Sequence, residues 1–213
     1  MKTIHFYLDF ISPYAWLAFD ALPQALEGIS HRVVFKPVVF GAMLKHHGQL
    51  GPAEIPSKRD WTYRQVQWQA RAQGTPLQLP ASHPFNSLAL LRLATACDAD
   101  GTPNRFVCDK IFRHVWCTGQ DAADAERLAA LNADLKPTGD VASDAVKQQL
   151  KAHTDEAIAL NLFGVPSLVV DGQVFWGNDA LPMLRAYLQG DPWFQSADWT
   201  DVAEVPVGVR RKG

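Results

Sequence analysis

Cysteine is scarce in this sequence and is not arranged for redox chemistry. Three cysteines occur among the 213 residues, Cys97, Cys108 and Cys117, and no two of them form a Cys-x-x-Cys pair. An odd number of cysteines argues against a disulfide framework. We therefore predict reduced, buried thiols in a cytoplasmic protein.

Long apolar runs and an excess of one charge sign are missing as well. No stretch is apolar enough to span a bilayer, and Asp9 and Pro13 interrupt the apolar residues that follow Lys2, so no signal-peptide core forms. The chain has 20 basic and 22 acidic residues and a net charge of -2. Neither a nucleic acid nor a membrane is therefore expected as a partner. His46 and His47 have no further ligand at a metal-binding spacing, so no metal site is predicted.

What the sequence does contain is a strand-helix-strand pattern at its beginning. Residues 4–10 alternate between apolar and polar side chains, which is the period of a strand. Ser12 followed by Pro13 is typical of a helix start, and Gly28 lies where that helix is expected to end. Residues 31–40 are again rich in Val and Phe. Two strands so close to one helix predict a right-handed parallel βαβ unit.

The last third of the chain predicts a hairpin followed by a helix. Residues 167–170 and 173–176 flank Asp171 and Gly172, a dipeptide suited to a tight hairpin turn. The leucines of 181–188 then recur at helical spacing, after residues that can cap a helix start.

The middle of the chain is helical, and this order of elements defines the fold. An α/β thioredoxin-like fold split by a helical insertion domain has the order βαβ, helices, ββα. We predict a thioredoxin-like domain of residues 1–40 and 162–190, an insertion domain of 41–161, and a C-terminal tail of 191–213. The helices of the insertion are predicted at 61–73, from Pro84, from Pro103, at 122–135 and at 140–161.

The first strand-to-helix turn carries the first candidate site. In a thioredoxin-like fold the residues of Ser12–Ala15 would be the redox Cys-x-x-Cys, at a helix start whose dipole and free N–H groups stabilise a thiolate. Neither sulfur is present here, so the chain is not a self-contained disulfide oxidoreductase. A ligand can bring a thiolate to the same place, and Ser12 would then donate to its sulfur. The alternative is that Ser12 only caps the helix, which is the commoner role of such a serine.

The second candidate site is the Val165-Pro166 dipeptide before the third strand. In thioredoxin-like folds this peptide bond is usually cis and lies opposite the helix start. We expect the backbone N–H and C=O of Val165 to be unpaired there and free to bind a peptide such as glutathione. The alternative is a proline at a strand start where no ladder donor is needed.

Four stretches together resemble a known family. They are FYLDFISPY at 6–14, FGAMLKHHG at 40–48, FGVP at 163–166 and FWGND at 175–179. In this order they resemble the 2-hydroxychromene-2-carboxylate isomerases, which are relatives of the kappa-class glutathione transferases within the DsbA-like group. The resemblance covers nearly the whole chain, residues 3–190.

The resemblance implies glutathione as the cofactor and places it on this chain. Its sulfur would lie beside Ser12, its backbone would pair with Val165, and its γ-glutamyl end would lie near 176–179. Asp179 would accept from the γ-glutamyl ammonium group, although it can also be a plain helix cap. The cofactor-binding residues implied in this way are Ser12, Val165, Pro166, Trp176, Gly177, Asn178 and Asp179, with Ser12 also catalytic.

The reaction implied is an isomerisation of a small aromatic carboxylate. These isomerases interconvert a hydroxychromene carboxylate and a ring-opened benzylidenepyruvate by reversible addition of the glutathione thiolate. The substrate carboxylate needs cations, and Lys45, Lys58 and Arg59 match the substrate-side positions, while His83 stands where such an isomerase has an aromatic residue. Ordinary solvated side chains are the alternative for each of the three cations.

Two other functions remain open at this point. A kappa-like transferase or peroxidase would consume or oxidise glutathione, and a non-catalytic protein would only bind it. The resemblance also implies a homodimer, because relatives are usually dimers, and Trp193, Phe194 and Trp199 of the tail could serve that contact.

Overall fold

A four-stranded sheet of mixed direction organises the part of the chain described by the computed structural model, residues 1–209. Its strands are β1 (Lys2–Leu8), β2 (His31–Pro37), β3 (Ser167–Val170) and β4 (Gln173–Trp176). The spatial order is β2-β1-β3-β4, with β1 parallel to β2 and antiparallel to β3, and β3 antiparallel to β4. The predicted α/β thioredoxin-like fold is therefore confirmed. The division into two domains with a tail stays a prediction, and residues 210–213 of that tail lie outside the described residues.

Helices account for much of the rest of the described chain. They are α1 (Pro13–Ala25), α2 (Phe40–His46), α3 (Pro56–Gln73), α4 (Leu88–Ala96), α5 (Arg105–Trp116), α6 (Ala125–Leu135), α7 (Asp144–Ala159), α8 (Leu181–Leu188) and the short α9 (Ala197–Thr200). None of them, within residues 1–209, has the length and apolar character needed to cross a membrane.

Both faces of the sheet are covered, as the alternation along β1 requires. Ile4, Phe6 and Leu8 are buried in the larger core, which α1, α4, α5 and α8 complete. Tyr7 points the other way into a smaller core with residues of α2 and α7. The carboxyl end of β1 thus emerges between two packed layers, and α1 begins there.

Five helix starts differ from the predictions, and a side-chain cap accounts for three of them. The helix expected from Pro103 begins at Arg105, since the side chain of Asn104 accepts the Val107 N–H at 3.0 Å. The helices expected at 122–135 and 140–161 likewise begin after capping residues, Asp124 and Ser143. The helix expected from Pro84 begins at Leu88, and the one expected at 61–73 begins at Pro56.

The second strand is shorter than predicted, and the hairpin is as predicted. β2 ends at Pro37, and Phe40 already opens α2. Asp171 and Gly172 have φ angles of 50° and 78°, the backbone that a two-residue hairpin turn requires. In the tail, Phe194 and Trp199 pack on Phe175 of β4, so these aromatic side chains cover the chain's own sheet.

Candidate active site

The turn of residues 9–12, between β1 and α1, is held by side chains from distant parts of the chain. Trp116 Nε1 donates to the Phe10 carbonyl oxygen at 2.9 Å. His83 Nε2 lies 2.8 Å from the Ile11 carbonyl oxygen. The Phe10 and Ile11 carbonyls are therefore satisfied from α5 and from the segment before α4, and these contacts hold the turn that leads into α1.

The side chain of Asp9 holds the same turn by hydrogen bonds to backbone N–H groups. It is 1% exposed, and its two carboxylate oxygens accept the Ile11 N–H and the Phe40 N–H, each at 3.1 Å. Burial raises the pKa of Asp9 to about 6, although the Ile11 N–H, the Ser87 hydroxyl and the Phe40 N–H act in the opposite direction. One carboxyl group thus ties the turn to the start of α2.

Ser12 caps α1 and uses its hydroxyl hydrogen within the protein. Its Oγ accepts the Ala15 N–H at 3.2 Å, so the predicted cap is confirmed. The same hydroxyl donates to the Val165 carbonyl oxygen at 3.1 Å, across 153 positions of sequence. The Tyr14 N–H, at the next helical position after Pro13, has no partner within the described residues. One donor at the helix start is therefore available to an anion.

The Val165-Pro166 peptide bond is cis, as predicted. The prediction that both backbone groups of Val165 are unpaired is wrong for the carbonyl, which accepts from Ser12. The sequence could not show this, because it depends on the side-chain rotamer of a residue far along the chain. The Val165 N–H has no hydrogen-bond partner in the part of the chain that the structure describes.

Two glycines allow close backbone packing beside Val165, at the edge of the cleft between the Val165-Pro166 segment and the start of α1. Gly164 lies so close to the Trp176 indole that a Cβ atom would collide with it. Phe163 packs on Trp176 with ring centroids 4.9 Å apart, and both rings remain partly exposed. The Gly177 N–H donates to the Pro166 carbonyl at 2.9 Å, with a φ of 93° that favours glycine.

Asn178 and Asp179 form a short 3-10 turn before α8. The prediction that their side chains cap α8 is wrong, because the N-cap residue is Ala180 and no side chain caps the helix. Asn178 is 6% exposed, and its Oδ1 atom has no hydrogen-bond partner among the described residues. Asp179 is exposed. Burial raises the pKa of Tyr14, and the negative charge of Asp179 adds to this effect, so Asp179 lies near the start of α1. Both residues line a depression of about 590 Å³ between α1, α3 and α8.

The four residues predicted on the substrate side are not all brought together. His83 meets the active-site turn directly. Arg59 lies one helical turn before Tyr63, whose hydroxyl lies 2.8 Å from His83 Nδ1. The side chains of Lys45 on α2 and of Lys58 and Arg59 on α3 are exposed, and no hydrogen bond or ion pair within the described residues links them to the turn.

Three residues of the site were missed by the sequence analysis: Asp9, Tyr63 and Trp116. Asp9 was visible as a polar residue at the end of an apolar strand, which is an uncommon place for a carboxylate. Tyr63 and Trp116 carried no local signal, because only the folded chain brings them to the turn.

None of the three cysteine thiols is activated as a thiolate. Burial raises the pKa of Cys97, of Cys108 and of Cys117, so all three stay protonated at neutral pH. No group of three or more His, Cys, Asp or Glu side chains is placed to hold a metal ion within residues 1–209.

Comparison with known proteins shows the family and the fold of this chain. The model of the DSBA-like thioredoxin domain family matches residues 3–189. The chain is 29% identical over 196 residues to the 2-hydroxychromene-2-carboxylate isomerase of Sphingobium xenophagum, covering 88% of this chain and 98% of the relative. It is 22% identical over 211 residues to glutathione S-transferase kappa 1 of Rattus norvegicus, covering 90% and 92%. A solved 2-hydroxychromene-2-carboxylate isomerase has the same fold, with a TM-score of 0.75, 24% identity and coverage of 93% and 99%. The chain therefore belongs to the DSBA-like thioredoxin domain family.

Proposed function

We propose that this chain is a glutathione-dependent isomerase, which interconverts a cyclic hydroxychromene carboxylate and a ring-opened benzylidenepyruvate-type acid. One observation carries the proposal. The turn that stabilises a thiolate in this fold has Ser12 in place of the first cysteine, and its hydroxyl meets the Val165 carbonyl at 3.1 Å. The working sulfur must then come from a ligand.

The hydrogen bonds around Ser12 and Val165 fit glutathione by an exchange of partners. If the Ser12 hydroxyl turns from the Val165 carbonyl to a bound sulfur, that carbonyl is free to accept a peptide N–H. The unpaired Val165 N–H can donate to a peptide carbonyl in the same way. No polar group of the protein loses a partner in this exchange, so it costs little.

The other end of glutathione fits Asn178 and Asp179. A γ-glutamyl ammonium group can donate to the Asp179 carboxylate and to Asn178 Oδ1, the buried acceptor without a partner. Trp176 and Gly177 would form the wall between this end and the Pro166 loop.

Glutathione, when bound, supplies the thiolate that adds reversibly to the conjugated double bond of the substrate. Ser12 and the start of α1 keep the thiol deprotonated. Lys45, Lys58 and Arg59 would bind the substrate carboxylate, and His83 would form part of the substrate wall.

The relatives support two enzyme classes, and the fate of glutathione separates them. An isomerase returns glutathione, whereas a kappa-like transferase or peroxidase consumes or oxidises it. The purified protein should convert a hydroxychromene carboxylate over many turnovers with sub-stoichiometric glutathione, while the free thiol measured at the end stays constant. Thiol loss equal to product would establish a transferase or peroxidase instead, and binding of glutathione without turnover would leave a binding protein.

Carboxylate recognition by Lys45 and Arg59 gives a further prediction. Arg59→Ala and Lys45→Ala should each raise the substrate KM about ten- to a hundred-fold, since a hydrogen bond to a charged group contributes about 1.5–3 kcal/mol. Glutathione affinity, measured by calorimetry, should stay unchanged. Lys147→Ala is the matched control, because Lys147 pairs with Asp144 on α7. Weaker glutathione binding in the Arg59 or Lys45 variant would reverse the assignment of the two sides of the cleft.

The oligomeric state and the cellular location are also part of this proposal. We infer a homodimer, which the exposed Trp61 and Trp68 side chains on α3 support as an apolar contact surface. A cytoplasmic location is supported by the protonated, unpaired thiols. Sedimentation equilibrium at micromolar concentration gives the mass, and a monomer there would contradict the dimer.

A further inference from the structure

A tyrosine and a histidine form a hydrogen-bonded pair on the substrate side of the turn. The Tyr63 hydroxyl lies 2.8 Å from His83 Nδ1 and 3.1 Å from the His83 carbonyl oxygen. His83 Nε2 lies 2.8 Å from the carbonyl oxygen of Ile11, the residue before Ser12. Both side chains are half-buried. The Tyr63 oxygen is thus two hydrogen bonds and one imidazole ring away from the turn that carries Ser12.

The Ile11 carbonyl determines which nitrogen of His83 carries the hydrogen. A carbonyl oxygen only accepts, so Nε2 is protonated, and in the neutral ring Nδ1 is then an acceptor. Tyr63 therefore donates its hydrogen to Nδ1. Burial lowers the pKa of His83, while the bond to Ile11 acts in the opposite direction, so the neutral ring prevails at pH 7.

The same atoms also satisfy the charged ring. When Nδ1 gains a hydrogen it donates to the Tyr63 oxygen, and the Tyr63 hydrogen turns to the His83 carbonyl oxygen at 3.1 Å. The Nε2 hydrogen stays on Ile11. Both nitrogens and the hydroxyl have partners in each state, so the pair can take up one proton and return it with no loss of hydrogen bonding.

Charged and aromatic residues lie around this pair. Burial raises the pKa of Tyr63, the Arg59 guanidinium lowers it, and Asp60 raises it, so both charges lie close to the hydroxyl. The rings of Phe85 and Trp116 flank His83, with centroids 6.1 and 5.5 Å away. The Tyr63 hydroxyl therefore lies against a proton acceptor, and the guanidinium proposed for the substrate carboxylate lowers its pKa.

We propose that Tyr63 is the acid-base residue that opens and closes the hydroxychromene ring, with His83 as the group that stores the proton. This assignment rests on the isomerase function proposed above. The hydroxyl on the hemiketal carbon gives its proton to the Tyr63 oxygen, while the Tyr63 hydrogen passes to His83 Nδ1. The electron pair of that O–H bond becomes the ketone C=O bond, and the bond from the same carbon to the ring oxygen breaks.

The proton taken from the hydroxyl returns to the other oxygen of the hemiketal carbon. The broken bond leaves its electron pair on a phenolate oxygen, which was attached to the hemiketal carbon beside the hydroxyl and is therefore within reach of Tyr63. The phenolate takes the proton back from His83 through Tyr63, so the pair ends as it began. Ring closure is the reverse of these steps.

Tyr63→Phe tests this role, and Tyr187→Phe is its matched control, because the Tyr187 hydroxyl bonds Asp171 at the hairpin. Conversion of the hydroxychromene carboxylate, corrected for the uncatalysed rate, should fall about 10²- to 10⁴-fold in Tyr63→Phe, as for loss of general acid-base catalysis. Glutathione affinity should match wild type, and Tyr187→Phe should retain the wild-type rate. An active wild type and an equally active Tyr63→Phe would overturn the inference and leave the isomerase standing. A wild type without turnover would overturn both.

A second measurement is made on the wild-type protein and does not depend on the folding of Tyr63→Phe. In wild-type protein with ¹⁵N-labelled histidine, the His83 signals, identified by their absence in His83→Gln, should show a protonated Nε2 and a bare Nδ1 at pH 7. A protonated Nδ1 with a bare Nε2 would overturn the relay whatever the activity data.

Discussion

Replacing Ser12 with alanine should lower the glutathione-dependent rate about ten- to a hundred-fold and raise the pKa of the bound thiol. The Ser12 hydroxyl lies at the start of α1, where it can donate to a sulfur, and a hydrogen bond to a charged group contributes about 1.5–3 kcal/mol. The helix dipole remains in the variant, so the rate should fall without vanishing. Steady-state kinetics and the thiolate absorbance of bound glutathione against pH measure the two effects.

Ser143→Ala is the matched control for the structural role of Ser12. Ser143 caps α7 in the same way, with its Oγ accepting the Val146 N–H at 3.3 Å. Both variants should lose about 1 kcal/mol of stability as a cap is removed. Only Ser12→Ala should move the thiol titration. Superimposable titration curves for wild type and Ser12→Ala would leave Ser12 a cap and nothing more.

Replacing Asp9 with asparagine should change how stability depends on pH. The pKa of Asp9 is raised to about 6 in the folded protein from a usual value of 3.8, so the folded state binds the proton more tightly than the unfolded state. Its contribution to stability is therefore complete below pH 4 and is lost as pH rises through 6. The gap in free energy of unfolding between wild type and Asp9→Asn should thus be about 2.5 kcal/mol larger at pH 4 than at pH 8.

The Asp9 prediction has a control of opposite sign. The bond to Lys2 lowers the pKa of Asp171 at the exposed hairpin, so its contribution is lost as pH falls. The gap for Asp171→Asn should shrink slightly toward pH 4, where that of Asp9→Asn widens. Denaturant unfolding at several pH values measures both gaps. Parallel profiles for wild type and Asp9→Asn would mean that Asp9 does not titrate in this range.

Local patterns in the sequence predicted the elements that depend on near neighbours. The alternation of 4–10, the Ser12-Pro13 start and the Asp171-Gly172 turn each act within a few residues, and each is found in the structure. The start of α5 was predicted less well. The sequence predicts a start at Pro103, but the Asn104 side chain accepts the Val107 N–H and caps the helix, so that the helix begins at Arg105.

The environment of the site depended on contacts that no local pattern contains. The Ser12 hydroxyl reaches Val165 across 153 positions, and the Trp116 indole reaches Phe10 across 106. A single-residue motif predicts that a serine caps a helix, but it cannot predict where the hydroxyl hydrogen points. The Tyr63 pair with His83 was invisible for the same reason, since it forms between α3 and a loop that only the folded chain brings together.

Titration of glutathione bound to the wild-type protein tests the central claim most directly. If this chain uses glutathione as its working thiol, the bound thiol should show thiolate absorbance at neutral pH and a pKa at least one unit below that of an ordinary cysteine thiol, which is about 8.5. The absorbance should saturate with glutathione concentration at one thiolate per chain. A bound thiol that titrates like the free one, or no thiolate signal at any concentration, would contradict the account.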